Sequence, residues 1–264
     1  MINEILFNIF ATIFVVFIMI ILIVGFFLIV RGTQTKMINI FITGTGFIGL
    51  AIGFIGNFVF HLGGLFQEIF VFIAFNFTVI FTNLTFYRRK KIYPSLVLAV
   101  TFTLGIIQLF LHTLNLFLGT NVYYLRVSLD LPYTLLTFNW LAWASYQSYK
   151  RLKVYNIAPW LKLRYKLVAF FSLIISFHSI PEFFQPKGVY WGDPENIISL
   201  MVFGITAILA VSFSIGFFIA WIMPNWLKKK INKNYKPLED KEYSEKELME
   251  LIKKEMDEES SWND

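Results

Sequence analysis

The chain has 264 residues, of which 57% are hydrophobic and 31 are phenylalanine, and its formal net charge is +6. It contains no cysteine, which excludes a disulfide framework and a thiolate metal site. The basic excess does not predict nucleic-acid binding, because it falls in short connections between apolar segments and in one cluster after the last of them.

Seven long apolar segments occupy most of the chain before Met223. They are Ile5–Val30, Met37–Phe60, Phe66–Phe86, Ser95–Leu118, Leu131–Ser148, Leu167–Phe184 and Asn196–Ile222. A helix needs about 20 apolar residues to cross a ~30 Å hydrocarbon core. Because lipid offers the backbone no hydrogen-bond partners, such segments must be helices. The sequence therefore predicts an all-α, polytopic membrane protein, with a seven-transmembrane helix bundle over residues 1–226 and a soluble tail over residues 227–264.

Lysine and arginine concentrate in alternate connections of this predicted bundle. Arg31 and Lys36 lie in the first connection, and similar clusters lie in the third and fifth, whereas only Arg126 and Lys187 fall in the others. Short basic loops stay on the cytoplasmic side. We therefore expect the N-terminus outside, the tail in the cytoplasm, and an integral protein of the cell (plasma) membrane.

The second segment contains four glycines spaced along one side, namely Gly46, Gly49, Gly53 and Gly56. Glycine lets helix backbones approach closely in a bilayer, where van der Waals packing drives association. Two interpretations fit this pattern: a seam for a homodimer, or a tight contact within the bundle.

Polar and ionisable side chains gather towards the predicted outer ends of five segments. His178 and Glu182 are four residues apart, a spacing that places them on one helix face. Ionisable groups at membrane depth are costly and are therefore functional candidates. We predict an outward-facing, water-filled cavity whose ligand-binding residues are His61, Glu68, Gln108, His112, Asn115, Asp130, Thr134, His178 and Glu182.

Three chemistries suit such a cavity. The first is a zinc site, because His61, His112 and His178 with Asp130 supply a nitrogen and oxygen donor set with an open position. The second is proton sensing by an imidazole beside a carboxylate. The third is a small ligand held by aromatic and polar groups. The cofactor stays unassigned, and the last segment holds no lysine that could form a retinal Schiff base.

The tail changes character along its length. Its first part is polybasic, and we expect contact there with anionic lipid of the inner leaflet. The lysines concerned are Lys228, Lys229, Lys230, Lys233 and Lys236. An acidic amphipathic helix follows at about residues 244–257, opened by a capping box of Ser244 and Glu247. Its apolar stripe predicts either packing back onto the protein or docking of a cytosolic protein partner.

Together these features favour a seven-transmembrane, receptor-like sensor with an outward polar pocket for a small ligand or protons. Two other functions stay open. A small-solute or ion transporter or channel would use the polar stripes as an entry path, although the inner half holds few ionisable groups. An intramembrane zinc-dependent hydrolase would use the three histidines, although no sequence motif supports an enzyme.

Overall fold

The computed structural model describes residues 2–87, 92–118, 122–155, 157–233, 235 and 245–258. All regular elements in these ranges are helices. They are α1 (Ile2–Thr35), α2 (Ile38–Phe58), α3 (Gly64–Phe86), α4 (Ile92–Leu118), α5 (Tyr123–Leu152), α6 (Pro159–Ile175), α7 (Ile197–Ile222), α8 (Asn225–Ile231) and α9 (Glu245–Glu258). A short 3₁₀ helix, Pro181–Phe184, lies between α6 and α7.

Five of these helices, α1, α2, α3, α4 and α7, are long and apolar enough to cross a membrane. The predicted all-α architecture and membrane character are thereby confirmed. The other two predicted spans differ from this group, because α6 has only 17 residues and α5 is much more polar than the five.

The sixth helix does not have the predicted bounds Leu167–Phe184. It begins two turns earlier, at Pro159, and ends at Ile175. Pro159 can occupy the first position of the helix without the loss of a hydrogen bond, because the N–H at that position has no partner within the helix. From Phe177 to Phe183 the backbone bonds reach back only three residues, as from His178 N to the Ile175 carbonyl at 3.0 Å. Pro181 has no N–H with which to continue an α-helical ladder.

Six helices pack in a closed ring, in the order α1, α2, α3, α5, α6, α7 and back to α1. Helix α4 lies outside this ring, against α3 and α5. At one end of the bundle, Asn3 Nδ2 donates to the Pro194 carbonyl at 3.0 Å. We call this the N-terminal end. At the opposite, tail end, the Arg31 and Arg164 side chains both donate to backbone carbonyls of the last turn of α7.

The four glycines of α2 face α3 within the same chain. A Cβ at Gly53 would lie 2.7 Å from Phe70 Cβ, and one at Gly56 would lie 2.1 Å from the Phe66 ring. Gly46 and Gly49 likewise approach the side chains of Phe77 and Phe70. This side of α2 is therefore covered by α3 inside the bundle. The contact agrees with the second interpretation of the glycine pattern, a tight contact within the bundle.

Helix α9 folds back against the tail end of α3 and α5. Leu248, Met249 and Ile252 are buried in this contact, and Asn39 Nδ2 lies 3.2 Å from Met249 Sδ. The amphipathic stripe thus packs on the protein itself. Ser244, the first residue of the predicted capping box, and Lys236 lie outside the described residues.

The α1–α2 contact gives a stability prediction. A Cβ at Gly44 would lie 2.6 Å from the Gly25 carbonyl oxygen and 2.8 Å from Ile29 N. Backbone atoms cannot yield as a side chain does, so Gly44→Ala should lower the free energy of unfolding by about 1–3 kcal/mol. Gly49→Ala is the matched control, because its Cβ would meet only a phenylalanine ring atom at 3.4 Å. Denaturation of both variants in detergent checks this, and equal losses would contradict it.

Candidate functional site: a polar cavity at the N-terminal end

A cavity of about 650 Å³ lies inside the helix ring at the N-terminal end. It reaches the surface among the connections at that end, where His61 and Tyr190 are exposed. Seven of the nine predicted ligand-binding residues line it: His61, Glu68, His112, Asn115, Asp130, His178 and Glu182. Its volume falls within the range of about 300–1,000 Å³ usual for small-molecule sites.

The other two predicted residues support the wall from behind. Gln108 is buried, and its Nε2 donates to the Arg126 carbonyl at 2.9 Å, which ties α4 to α5. Thr134 is buried and lies 2.8 Å from Ser179 Oγ. Ser179 in turn donates to Asp130 Oδ2. With that donor used, Thr134 must be the donor in its own contact with Ser179, since one hydroxyl has one hydrogen.

Arg126 lies at the centre of the charged groups, although it was not among the predicted ligand-binding residues. Its Nη1 is 3.1 Å from His112 Nε2, and its Nη2 is 4.0 Å from Glu182 Oε2. The guanidinium also lies over the Tyr123 ring, 5.3 Å from its centre. The spacing to Asp130 offered a signal, because residues four apart on α5 share a face.

His112 faces two partners with one nitrogen. Its Nε2 lies 3.1 Å from Arg126 Nη1 and 3.4 Å from Glu68 Oε2. A ring nitrogen either accepts through its lone pair or donates through a hydrogen, and it cannot do both. Neutral His112 with its hydrogen on Nδ1 therefore accepts from Arg126. A hydrogen on Nε2 would instead be donated to Glu68 Oε2.

His178 and Glu182 do not form the helical pair that their spacing predicted. Both lie beyond the end of α6, where the backbone is no longer α-helical. His178 Nδ1 is 3.1 Å from the Ile175 carbonyl, so Nδ1 carries a hydrogen and Nε2 is left to face other groups. The imidazole also lies edge-on to the rings of Phe75 and Phe138.

The connection between α6 and α7 is fixed over the cavity by side-chain bonds. Tyr123 OH donates to the Glu182 carbonyl at 2.9 Å. Gln185 is buried, and its Nε2 donates to the Val189 carbonyl at 3.0 Å and to Ser199 Oγ at 2.9 Å. An irregular segment needs such partners because it has no regular backbone ladder. Sequence reasoning missed both Tyr123 and Gln185.

The three histidines do not form a metal centre. Among the residues that the structure describes, no three His, Asp or Glu side chains are grouped so that they could hold a metal ion. His61 lies exposed in the α2–α3 connection with a positive φ of 53°, whereas His112 is engaged by Arg126 and Glu68. The predicted zinc set of His61, His112, His178 and Asp130 is therefore not assembled.

No protein-family model matches this chain, and neither the curated proteins nor the solved structures contain a match. The fold and the cavity thus define a class only: an all-helical membrane protein with a charged, aromatic cavity at one end.

The Glu182 carboxyl gives a pH prediction. It lies in the short 3₁₀ helix between α6 and α7, outside the five helices that are long and apolar enough to cross a membrane. Burial, with a further contribution from Asp130, raises its pKa to about 7 against the opposing effect of Arg126. An acid with a raised pKa binds its proton in the folded state over a pH range where the unfolded chain has lost it. Stability should therefore fall as pH rises from about 5 to 7 and then level off.

Glu182→Gln should flatten this part of the stability profile, because the amide carries no titrating proton. Chemical denaturation of parent and variant at a series of pH values between about 5 and 8 measures the difference. Glu195→Gln is the control, since Glu195 lies in the same connection but is exposed. Identical profiles for the parent and Glu182→Gln would contradict the assignment.

Proposed function

We propose that this chain is a seven-transmembrane, receptor-like sensor of the cell membrane that binds a small ligand in the cavity at its N-terminal end. The proposal places the N-terminus outside and the tail in the cytoplasm. The observation that carries it is the cavity of about 650 Å³, in which aromatic rings and several ionisable side chains face one space. Ligand sites are mostly apolar with a few convergent polar groups, and this cavity has that character.

The form of the cavity favours binding over conduction. Its inner limit contains Phe138 and Phe213, whose ring centres are 5.5 Å apart. Phe213 also packs on Phe217, with ring centres 4.6 Å apart, and on Phe47 at 6.3 Å. This layer of rings lies between the cavity and the tail end. A sensor needs no path through such a layer, whereas a transporter must open one.

Two features support seven spans rather than five. Helix α5 has 30 residues, about 45 Å at 1.5 Å per residue, which exceeds the hydrocarbon thickness. Helix α6 has 17 residues, about 26 Å, which is close to the ~30 Å hydrocarbon thickness. Both belong to the closed ring, between α3 and α7. Their polar residues are then accommodated inside the bundle.

The tail supplies an output in this proposal. Helix α9 contacts α3 and α5 at the tail end, and the same two helices carry Glu68, Arg126 and Asp130 into the cavity. A ligand that shifts either helix would thereby alter the surface on which α9 packs. The exposed lysines of α8, such as Lys229 and Lys230, are suited to anionic lipid headgroups.

The orientation can be tested with single cysteines, because the chain has none of its own. We expect Lys187→Cys, in the α6–α7 connection, to react with a membrane-impermeant maleimide on intact cells. Lys229→Cys, on α8, should react only after the cells are permeabilised. Both residues are exposed, so accessibility within the protein is matched. The reverse pattern would overturn the orientation, and labelling of both on intact cells would overturn a membrane crossing by α7.

Access to the cavity tests sensor against transporter. Thr206→Cys places a thiol at a buried position in the cavity wall. We expect a small cationic methanethiosulfonate reagent to modify it from the N-terminal side of oriented proteoliposomes and not from the tail side. Ser212→Cys, on the same helix but outside the cavity lining, should stay unmodified from both sides.

Each of the other outcomes has a definite meaning. Modification of Thr206→Cys from both sides would favour the transporter alternative, since the aromatic layer would then open. No modification from either side would remove the water-accessible cavity and with it the proposed function.

A further inference from the structure

The ionisable groups of the cavity are unbalanced in sign. Glu68, Asp130 and Glu182 contribute three carboxyl groups, whereas Arg126 is the only lysine or arginine that lines the cavity within the described part of the chain. With all three carboxyl groups ionised, which for Glu182 requires a pH above about 7, two negative charges are left without a permanent counter-charge. A buried charge without a partner is costly, so a cation that enters this space is favoured.

Arg126 does not neutralise the acids evenly. Its guanidinium lies towards His112 and Glu182, whereas Asp130 is hydrogen-bonded to the Ser179 hydroxyl. Glu68 faces the same His112 nitrogen that Arg126 occupies. The side of the cavity formed by Glu68 and Asp130 therefore holds two carboxyl groups whose direct contacts are a hydroxyl and an imidazole rather than the guanidinium.

The opposite side of the cavity is aromatic. We call it the aromatic wall, and its members are Phe14, Phe17, Phe54, Phe58 and Trp191. Their rings contact one another at centre distances of 5.1 to 6.4 Å. Such a wall suits an apolar body, and aromatic faces also attract a cation. The cavity is thus acidic on one side and aromatic on the other.

Two buried polar atoms at the cavity lack partners. Gln185 is 5% exposed, yet its Oε1 accepts no hydrogen bond among the described residues, and Trp191 Nε1 in the aromatic wall likewise donates none. Buried polar groups are nearly always paired, so unpaired ones point to a missing partner. An acceptor and a donor among the residues that line the cavity are complementary to a ligand that carries an N–H group and a second polar atom.

We infer that the cavity selects amphipathic organic cations, with an ammonium group near Glu68 and Asp130 and an apolar body on the aromatic wall. This inference rests on the proposed function, because it names the ligand class of the same site. It excludes anionic ligands, which the two unbalanced carboxylates would repel.

A matched series of three probes tests the charge preference on the full chain in lipid nanodiscs: 4-phenylbutylamine, 4-phenylbutanol and 4-phenylbutyrate. These compounds share one apolar body and differ in charge. We expect the amine to bind on the order of tenfold more tightly than the alcohol by calorimetry, because a carboxylate about 4 Å from a cation contributes strongly even at intermediate dielectric. The carboxylate compound should bind most weakly. Ala210→Trp, which fills the cavity from α7, is the control for partition into lipid.

Two substitutions should change amine binding in opposite directions. Asp130→Asn should lower the ratio of amine affinity to alcohol affinity on the order of tenfold, and the alcohol binding that remains shows that the variant is folded. Arg126→Gln should strengthen amine binding relative to the alcohol, because it removes the competing internal cation. A cavity selective for anions would respond to both changes in the reverse direction.

The outcomes separate this inference from the proposed function. Equal binding of amine and alcohol, or tightest binding of the carboxylate compound, would overturn the charge preference and leave a binding cavity in place. Binding of the three probes that Ala210→Trp does not reduce would remove the binding cavity itself, and the cation preference with it.

Discussion

The guanidinium of Arg126 is the contact on which the cavity depends. It meets a histidine from α4 and a glutamate from the α6–α7 connection, and the carbonyl of the same residue accepts from Gln108. Without this cation, three carboxyl groups would face one another in a space bounded by hydrocarbon. Like charges at such depth are costly, so without Arg126 the carboxyl groups would need another cation or would hold their protons. One cation thus allows three acidic side chains to line a single cavity.

The space itself follows from an unequal pair of helices. Helix α7 has 26 residues, whereas α6 has 17 and stops well before the N-terminal end. The chain then covers the gap with turns and a 3₁₀ helix rather than with a packed helix. Elsewhere the bundle is tight, because glycines bring α1, α2 and α3 into close contact. Close packing on one side and a shortened helix on the other leave room for a ligand.

Physical regularities made part of this structure predictable from the sequence. Apolar length alone predicts helices, since lipid leaves the backbone no alternative, and the helices α2, α3 and α7 begin and end within a few residues of the predicted bounds. The sixth helix was misplaced, because Leu167–Phe184 is predominantly apolar and hydropathy does not register the missing N–H of Pro181. Arg126 was overlooked for a related reason. A basic residue near a helix end normally marks an interface, and only the tertiary arrangement brings acids from α3 and the connection to its side.

The buried stripe of α9 has a consequence for any protein that recognises it. Leu248 and Ile252 are almost fully enclosed by the bundle, so a competitor must displace a segment tethered to its own site at a high effective concentration. A synthetic peptide covering residues 245–258 would then bind such a competitor more tightly than the intact protein does. The ratio of the two affinities would measure the equilibrium constant for packing of α9 on the bundle.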